Sequence, residues 1–296
     1  MVEQLIWVDP DDNEFDFTDG VNYFITRGQL GHLMEPFQIL YQTAPDIPGA
    51  IEQEVVAMPR TLTIPLFMQE DSRQDFIDRN RALAKALSPK RGLGYLKHVD
   101  QDAENRLLYC KYMGGLTGDT NVSLNGSTWA ISILQFQALD PNWYSDTPIS
   151  HNLSLSEAGD FFPILPFTLG DSSIFSQVTI NNTGDINAYP VFTILGPIQD
   201  FEAQNVTTGK AFKLDYSVIG SEIVTVDCRP RKISEPGFIA VSNDDGDNLY
   251  PYLTKENPAS ELFYLEPGYN VIKVLGGSTT INTDIDIDII PAFHSW

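Results

Sequence analysis

The sequence predicts a mainly β protein of two domains that carries one α-helix. Three observations predict it. Short runs of alternating apolar and polar residues recur along the 296-residue chain, closed by Gly, Pro, Asn or Asp. A single stretch, about residues 72–87, repeats at a helical period instead. The length suits about two packed cores, and the Ser- and Pro-rich, weakly periodic residues 145–175 separate the two halves. The domains are accordingly placed at 1–148 and 149–296.

The first elements read as strands. Glu14-Phe15-Asp16-Phe17 alternates, Asp19-Gly20 marks a tight turn, and Val21, Tyr23 and Ile25 resume the alternation. This is hairpin grammar, since strand side chains alternate between faces and Asp-Gly accepts positive φ. A loop runs from Pro45 to Ala50. Val55, Val56, Leu62, Ile64 and Leu66 fit further strands, which Pro59 and Pro65 confine to edges or ends because proline has no N–H for a ladder. In the helical stretch, Phe76, Ile77, Leu83, Ala84 and Leu87 form one stripe expected to face a sheet, with Asp71 or Ser72 as cap and Ser88-Pro89 as stop. Gly92-Leu93-Gly94 is a turn into a strand. Leu107–Tyr112 and Trp129–Leu139 are two more strands, Asp100 to Asn105 is a charged hairpin tip, and Asp140-Pro141-Asn142-Trp143-Tyr144 ends the domain.

The second half reads as strands alone: Gln177–Asn181, Val191–Leu195, Ala211–Leu214, Ile223–Asp227, Gly237–Val241, Leu262–Leu265, Val271–Leu275 and Asp284–Ile290. Strands at this spacing without helices suggest a β-sandwich.

Composition narrows function by exclusion. The net charge of −22 opposes phosphate-gripping nucleic-acid binding and docking on an anionic membrane, and favours solubility. No window approaches the ~20 apolar residues of a membrane span, and Met1 to Asp9 is not expected to be a secretory signal. Two cysteines, Cys110 and Cys228, point to a reducing compartment without a stapling disulfide. The five Asn-x-Ser/Thr triplets beginning at Asn121, Asn125, Asn152, Asn181 and Asn205 then read as turn and strand-edge residues.

Motifs of chemistry are scarce. His32, His98, His151 and His294 share no metal-ligand spacing and read as scattered surface or loop residues. No nucleophile elbow, Walker loop or Cys-x-x-Cys is present. Asp9 to Asp12 and Asn243 to Asn248 are expected to be solvated turns, with a weak calcium site as the alternative. Among 40 acids nothing ranks one pair for glycoside hydrolysis. The basic patches Lys90-Arg91 and Arg229-Pro230-Arg231-Lys232 suit inter-subunit salt bridges or plain surface. Tyr250, Tyr252 and Trp296 could stack on sugars, although core or protein contact is the commoner fate of such residues. No catalytic, cofactor-binding or metal-ligating residue is therefore assigned, no cofactor is expected, and the chain is expected not to be an enzyme.

Several ordered stretches nevertheless resemble one family. They are Pro48-Gly49 leading to Met58-Pro59-Arg60-Thr61-Leu62-Thr63-Ile64; Leu87-Ser88-Pro89-Lys90-Arg91-Gly92-Leu93-Gly94-Tyr95-Leu96; Gly114-Gly115-Leu116; and Phe136 to Tyr144. In the second half they are Ile180-Asn181-Asn182-Thr183-Gly184, Tyr189 to Pro197, Thr208-Gly209-Lys210 and Leu265-Glu266-Pro267-Gly268-Tyr269-Asn270. Together they resemble the distal tail proteins of long-tailed bacteriophages, the siphophage tail component family. The resemblance implies a tail-tube-like N-terminal β-sandwich with one helix, which joins a homo-hexameric ring, and a galectin-like C-terminal β-sandwich. It further implies a structural role at the virion tail tip or baseplate after synthesis in the host cytoplasm. The implied partners are the tail tube protein, the tail-tip hub protein, the tape measure protein and, in some phages, a receptor-binding protein. The alternative is a carbohydrate-binding host-recognition module.

Overall fold

The computed structural model describes residues 3–43, 48–100, 104–116, 126–154, 174–230, 237–254, 261–280 and 282–296. The expected linker core, the apolar run Phe161 to Leu169, Asn121, Asn125, Pro45, Arg231 and Lys232 lie outside them. Two compact units emerge: Met1–Thr147 with Phe293–Trp296, and Pro148–Ala292. The C-terminal residues 293–296, placed by sequence in the second domain, thus belong to the first unit.

In the first unit the strands are β1 Gln4–Val8, β2 Glu14–Asp16, β3 Tyr23–Ile25, β4 Phe37–Gln42, β5 Ile51–Ala57, β6 Arg60–Gln69, β7 Gly94–Val99, β8 Arg106–Gly114, β9 Trp129–Ala138 and β10 Trp143–Ser145. Among the described residues all of them except β4 and β5 join one sheet, whose main path runs β2-β1-β7-β8-β9-β6-β3, with β10 beside β8. Only residues 17–22 join β2 to β3, yet these strands occupy opposite ends of that path. The sheet must therefore curl until its ends meet. Rings report the closure: Trp7 of β1 lies 5.0 Å from Phe136 of β9, and Phe17 lies 6.2 Å from Tyr23. Glu14 to Ile25 is consequently not a hairpin; β2 pairs with β1 and β3 with β6.

Pro65 also departs from expectation, because it sits inside β6 between two neighbours rather than at an edge or an end. Its carbonyl accepts from Thr26 N at 2.9 Å, immediately past the last residue of β3. Backbone N and O of one strand residue face the same side. The missing N–H therefore faces Thr26, past the end of β3, so only the reciprocal bond of that last pair is forgone and the β6–β9 ladder loses none.

The helix α1 spans Arg73–Ala86, and Ser72 caps it by accepting from Asp75 N. Phe76, Leu83, Ala86 and the C-cap Leu87 are buried against the sheet, whereas Ala84 is exposed. Trp7 Nε1 donates to the Ala86 carbonyl at 3.3 Å and so fixes the helix end on β1.

The second unit contains β11 Ile149–Ser154, β12 Ile174–Asn182, β13 Val191–Leu195, β14 Gln199–Asn205, β15 Lys210–Leu214, β16 Ile223–Asp227, β17 Val241–Asn243, β18 Leu253–Thr254, β19 Gly268–Gly277 and β20 Asp284–Ile289. They form two five-stranded sheets, β11-β20-β13-β16-β17 and β12-β19-β14-β15-β18. The core lies between them. Phe192 of the first sheet meets Phe201 and Phe212 of the second at ring distances of 6.1 and 5.4 Å, with Phe263 at 5.9 Å. Strand β20 shows the governing pattern, with Ile285, Ile287 and Ile289 buried and the intervening aspartates outward. Leu262–Leu265 gives only a bridge from Leu265 to Ala188, and the strand expected at Gly237–Val241 begins at Val241. Both cysteines are free and buried, and burial pushes each thiol up, away from reactivity.

Polar residues in and beside the family-like stretches hold turns. Asn182, Asn205 and Asn270 are at most 1% exposed. Asn182 bonds the carbonyls of Ile186 and Leu265, Asn205 that of Tyr264, and Asn270 those of Glu266 and Gly268. Phe192 is the contact through which the two sheets see each other most directly. Phe192→Ala is expected to destabilise this unit by roughly 3–5 kcal/mol, read as a lowered urea midpoint for its transition.

Candidate functional site

A two-stranded hairpin, β4–β5, stands apart from every other strand among the described residues. Its register places Phe37 opposite Ala57 and Ile39 opposite Val55, so these four share one face. That face is not covered: Phe37 is 43% exposed, Ile39 54% and Val55 48%. Leu40, Tyr41 and Ile51 are exposed too, as are Leu30, Leu33 and Met34 on the approach to the hairpin. β4 carries no charge at all, and β5 carries only Glu52 and Glu54. An isolated two-stranded hairpin is at best marginally stable in water. A contiguous apolar surface of this kind marks a place where another protein surface docks.

What holds the hairpin at its root is a buried cluster of charge. Pro36 O accepts from Met58 N at 2.7 Å and closes the base. One residue further out on the first arm is Glu35, and two further on the second is Arg60. Both are buried, at 4% and 0% exposure. They form an ion pair at 3.3 Å. Arg60 Nη1 also donates to the carbonyls of Gly31, His32 and Leu33 at 3.3, 3.1 and 3.3 Å. Residues 31–36 thereby acquire a fixed path without any ladder of their own. Gly31 is required there: its φ is +87°, and a Cβ would lie 2.2 Å from the Thr61 carbonyl oxygen.

The C-terminal residues complete the cluster. The His294 carbonyl accepts from Arg60 Nη2 at 2.7 Å, and His294 Nδ1 lies 2.7 Å from Glu35 Oε1. Phe293, in the short strand β21 Ala292–Phe293, lies under the Arg106 guanidinium at 3.4 Å. Trp296 sits between two imidazoles, 4.2 Å from the His32 ring and 4.4 Å from that of His98, with Trp143 at 5.4 Å. Trp143 Nε1 in turn donates to the His32 carbonyl at 3.2 Å.

These contacts revise the sequence reading of the histidines and give Trp296 the core contact that is the commoner fate of such a residue. His32 and His98 are not surface residues but are 6% and 5% exposed, and with His294 they converge from three distant parts of the chain. Trp296 is half-buried between them rather than free to stack on a ligand. No sequence spacing announced this convergence, because strand topology alone creates it. Tyr250 and Tyr252 remain partly exposed, at 39% and 48%. Arg91 and Arg229 pair within the chain, with Asp9 and Asp11 and with Asp227 respectively. The Asp9 carboxylate accepts from the Asp11 and Asn13 backbone, so it organises a turn. Asn243 Oδ1 accepts from Asp247 N across the turn containing Gly246. Among the described residues, no group of three or more His, Cys, Asp and Glu side chains is placed to hold a metal ion, and no helix is long and apolar enough to cross a membrane.

The His32 ring nitrogens have no hydrogen-bond partner, and neither does His98 Nε2, which lies 3.8 Å from Glu3. Burial, then the Arg60 charge, then His98 lower the His32 pKa from 6.5 to about 4. Burial and Arg106 also lower that of His98, against the opposing pull of Glu3 and Asp100. Between the two His32 values the unfolded chain binds a proton that the folded chain refuses. Stability must therefore fall as pH drops through that window and stay flat above it. Going from pH 7 to pH 5 is expected to cost the first unit about 2 kcal/mol through His32. Melting temperature against pH reads this loss, and His32→Phe, which keeps the ring stack and removes the titrating group, flattens the slope.

Comparison with known proteins places the fold. The phage tail protein RIFT-related domain matches residues 19–154, and the siphovirus-type tail component, C-terminal domain, matches residues 183–286. No curated protein matches in sequence. The crystal structure of the phage SPP1 Dit (gp 19.1) protein, described as a paradigm of hub adsorption apparatus in phages infecting Gram-positive hosts, superimposes with a TM-score of 0.65 at 16% identity, over 97% of this chain and 98% of that one. Chains of the phage P2 baseplate in its activated conformation, with Ca and with Sr, give TM-scores of 0.52 and 0.53 at 10% identity over the same shares. Two domain families matched in order on a mainly β chain of this fold lead to one conclusion: the chain belongs to the distal tail (Dit) protein family of siphophages.

Proposed function

We propose that this structural tail component closes into a hexameric ring at the virion tail tip by burying the β4–β5 hairpin on a neighbouring copy of itself. The uncovered apolar hairpin carries this reading. Its own unit leaves Phe37, Ile39 and Val55 in water, so only a second surface can take them out of it. The outer faces of β8 and β9 expose Tyr109, Met113 and Ile133, a different apolar surface able to receive it. Donor and receiver then differ, which makes the contact head-to-tail, and such contacts generate rings when the rotation closes. The ring joins the tail tube to the tail-tip hub beside the tape measure protein and is a platform for receptor-binding proteins. Its work is mechanical, without turnover. The structurally similar proteins, a hub adsorption apparatus protein and baseplate chains, support that placement.

Concentrated protein is expected to show a species of six times the 33.0 kDa chain mass by light scattering, with six-fold rings in micrographs. Ile39→Asp combined with Val55→Asp is expected to return the mass to one chain with little change in melting temperature, because both side chains are exposed in the free chain. A double variant that associates like the wild type, or a wild type monomeric at every concentration, would overturn the proposal.

A further inference from the structure

The root of the hairpin is held by the C-terminal residues more closely than by its own ion pair. Arg60 and Glu35 stand 3.3 Å apart, whereas the His294 carbonyl is 2.7 Å from Arg60 and its ring 2.7 Å from Glu35. The imidazole also meets Phe37, the first residue of β4, at 6.3 Å between rings. Two residues on, Trp296 fills the slot between His32, on the approach to the hairpin, and His98 of β7. The tail thus touches the approach segment, both charged residues of the base and the first residue of the arm.

From this geometry we infer that residues 293–296 are an intramolecular latch that sets the direction and stiffness of the β4–β5 hairpin, with His294 and Trp296 as positioning residues for self-association. The inference rests on the hairpin-mediated ring proposed above. Residues 31–36 form no strand, so contacts rather than a ladder decide their path. Without the tail, Glu35 and Arg60 each lose their shortest partner, and His32 loses the ring stacked on it. The backbone ladders of the sheet do not run through these side-chain contacts: β6 pairs with β9 along its whole length, and β7 pairs with both β1 and β8. Loss of the latch therefore loosens one arm and leaves the curled sheet in place. A hairpin free to swing samples many directions, and only the fraction pointing correctly can dock.

Hydrogen exchange on the full-length chain, read by mass spectrometry under monomeric conditions, tests the latch directly. Trp296→Ala and His294→Leu are expected to raise exchange about tenfold in residues 31–42 and 51–57, with β1, β7 and β9 little changed. His294→Gln, whose amide donates to Glu35 and whose backbone carbonyl is retained, is expected to restore protection. The concentration at half-assembly is expected to rise by about the same factor in the first two variants. Unchanged exchange in the hairpin would overturn the latch, as would an increase spread evenly over β1, β7 and β9, which is the signature of general core loosening. The ring proposal fails separately: if Ile39→Asp with Val55→Asp leaves the mass unaltered, the exchange pattern still decides the latch.

Discussion

A guanidinium cannot shed its proton, so an arginine with no access to water must be surrounded by acceptors. Arg60 meets that demand at both terminal nitrogens from three places: the carbonyls of residues 31–33, the Glu35 carboxylate and the His294 carbonyl; its Nε alone finds no acceptor. Much of the first unit's irregular structure follows. The segment before β4 is drawn onto β6, Gly31 is needed at the point of closest approach, and the hairpin leaves the sheet at a defined root. Removing one member of a buried charged pair costs roughly 3–5 kcal/mol, a large share of the 5–15 kcal/mol typical of a whole domain. The ion pair at the root therefore also contributes to domain stability.

The two ways this chain treats a strand face show what is structural and what is for use. In β20 the outward positions are aspartates, and Asn152 bonds two of them from the neighbouring strand. Such a face is soluble and repels a second copy. In β4 the sequence Phe-Gln-Ile-Leu-Tyr-Gln puts no charge on either face. One chain thus carries the usual protection against edge and face association on one strand and omits it on another. The omission coincides with the only hairpin, among the described residues, that lacks a third strand.

How much of this was legible depends on how local the determinant is. The helix was readable because Ser72, Phe76, Leu83 and Leu87 lie within a few turns of one another. Val191–Leu195 and Ile223–Asp227 were readable because each is a short run dominated by β-branched and aromatic residues. β14 was not, since its inward residues after Phe201 are Ala203 and Asn205, too small or too polar to show a pattern. Glu14 to Ile25 looked like a hairpin because turn chemistry is local, whereas the curl that separates β2 from β3 is a property of the whole sheet. Arg60 stood in a family-like stretch, yet its burial was invisible, as its partners are separated from it by as many as 234 positions. His294 and Trp296 were visible only as a scattered histidine and an aromatic of uncertain fate, for no periodicity places residues 293–296 against Arg60.

An assembly protein leaves its evidence in surfaces that are incomplete rather than in constellations that are reactive. Polar clusters among the described residues serve structural ends: Asn182, Asn205 and Asn270 satisfy turns, Asp9 organises a loop, and Arg60 with Glu35 fixes a root. Among the described residues, physical accounting does not close within the chain at the hairpin, whose apolar face stays in water. A net charge of −22 keeps separate copies apart at long range. Salt screens that repulsion beyond about 8 Å at physiological strength, while apolar burial acts only on contact. Long-range repulsion with short-range attraction disfavours loose clusters and leaves a fully docked neighbour as the arrangement in which the attraction prevails.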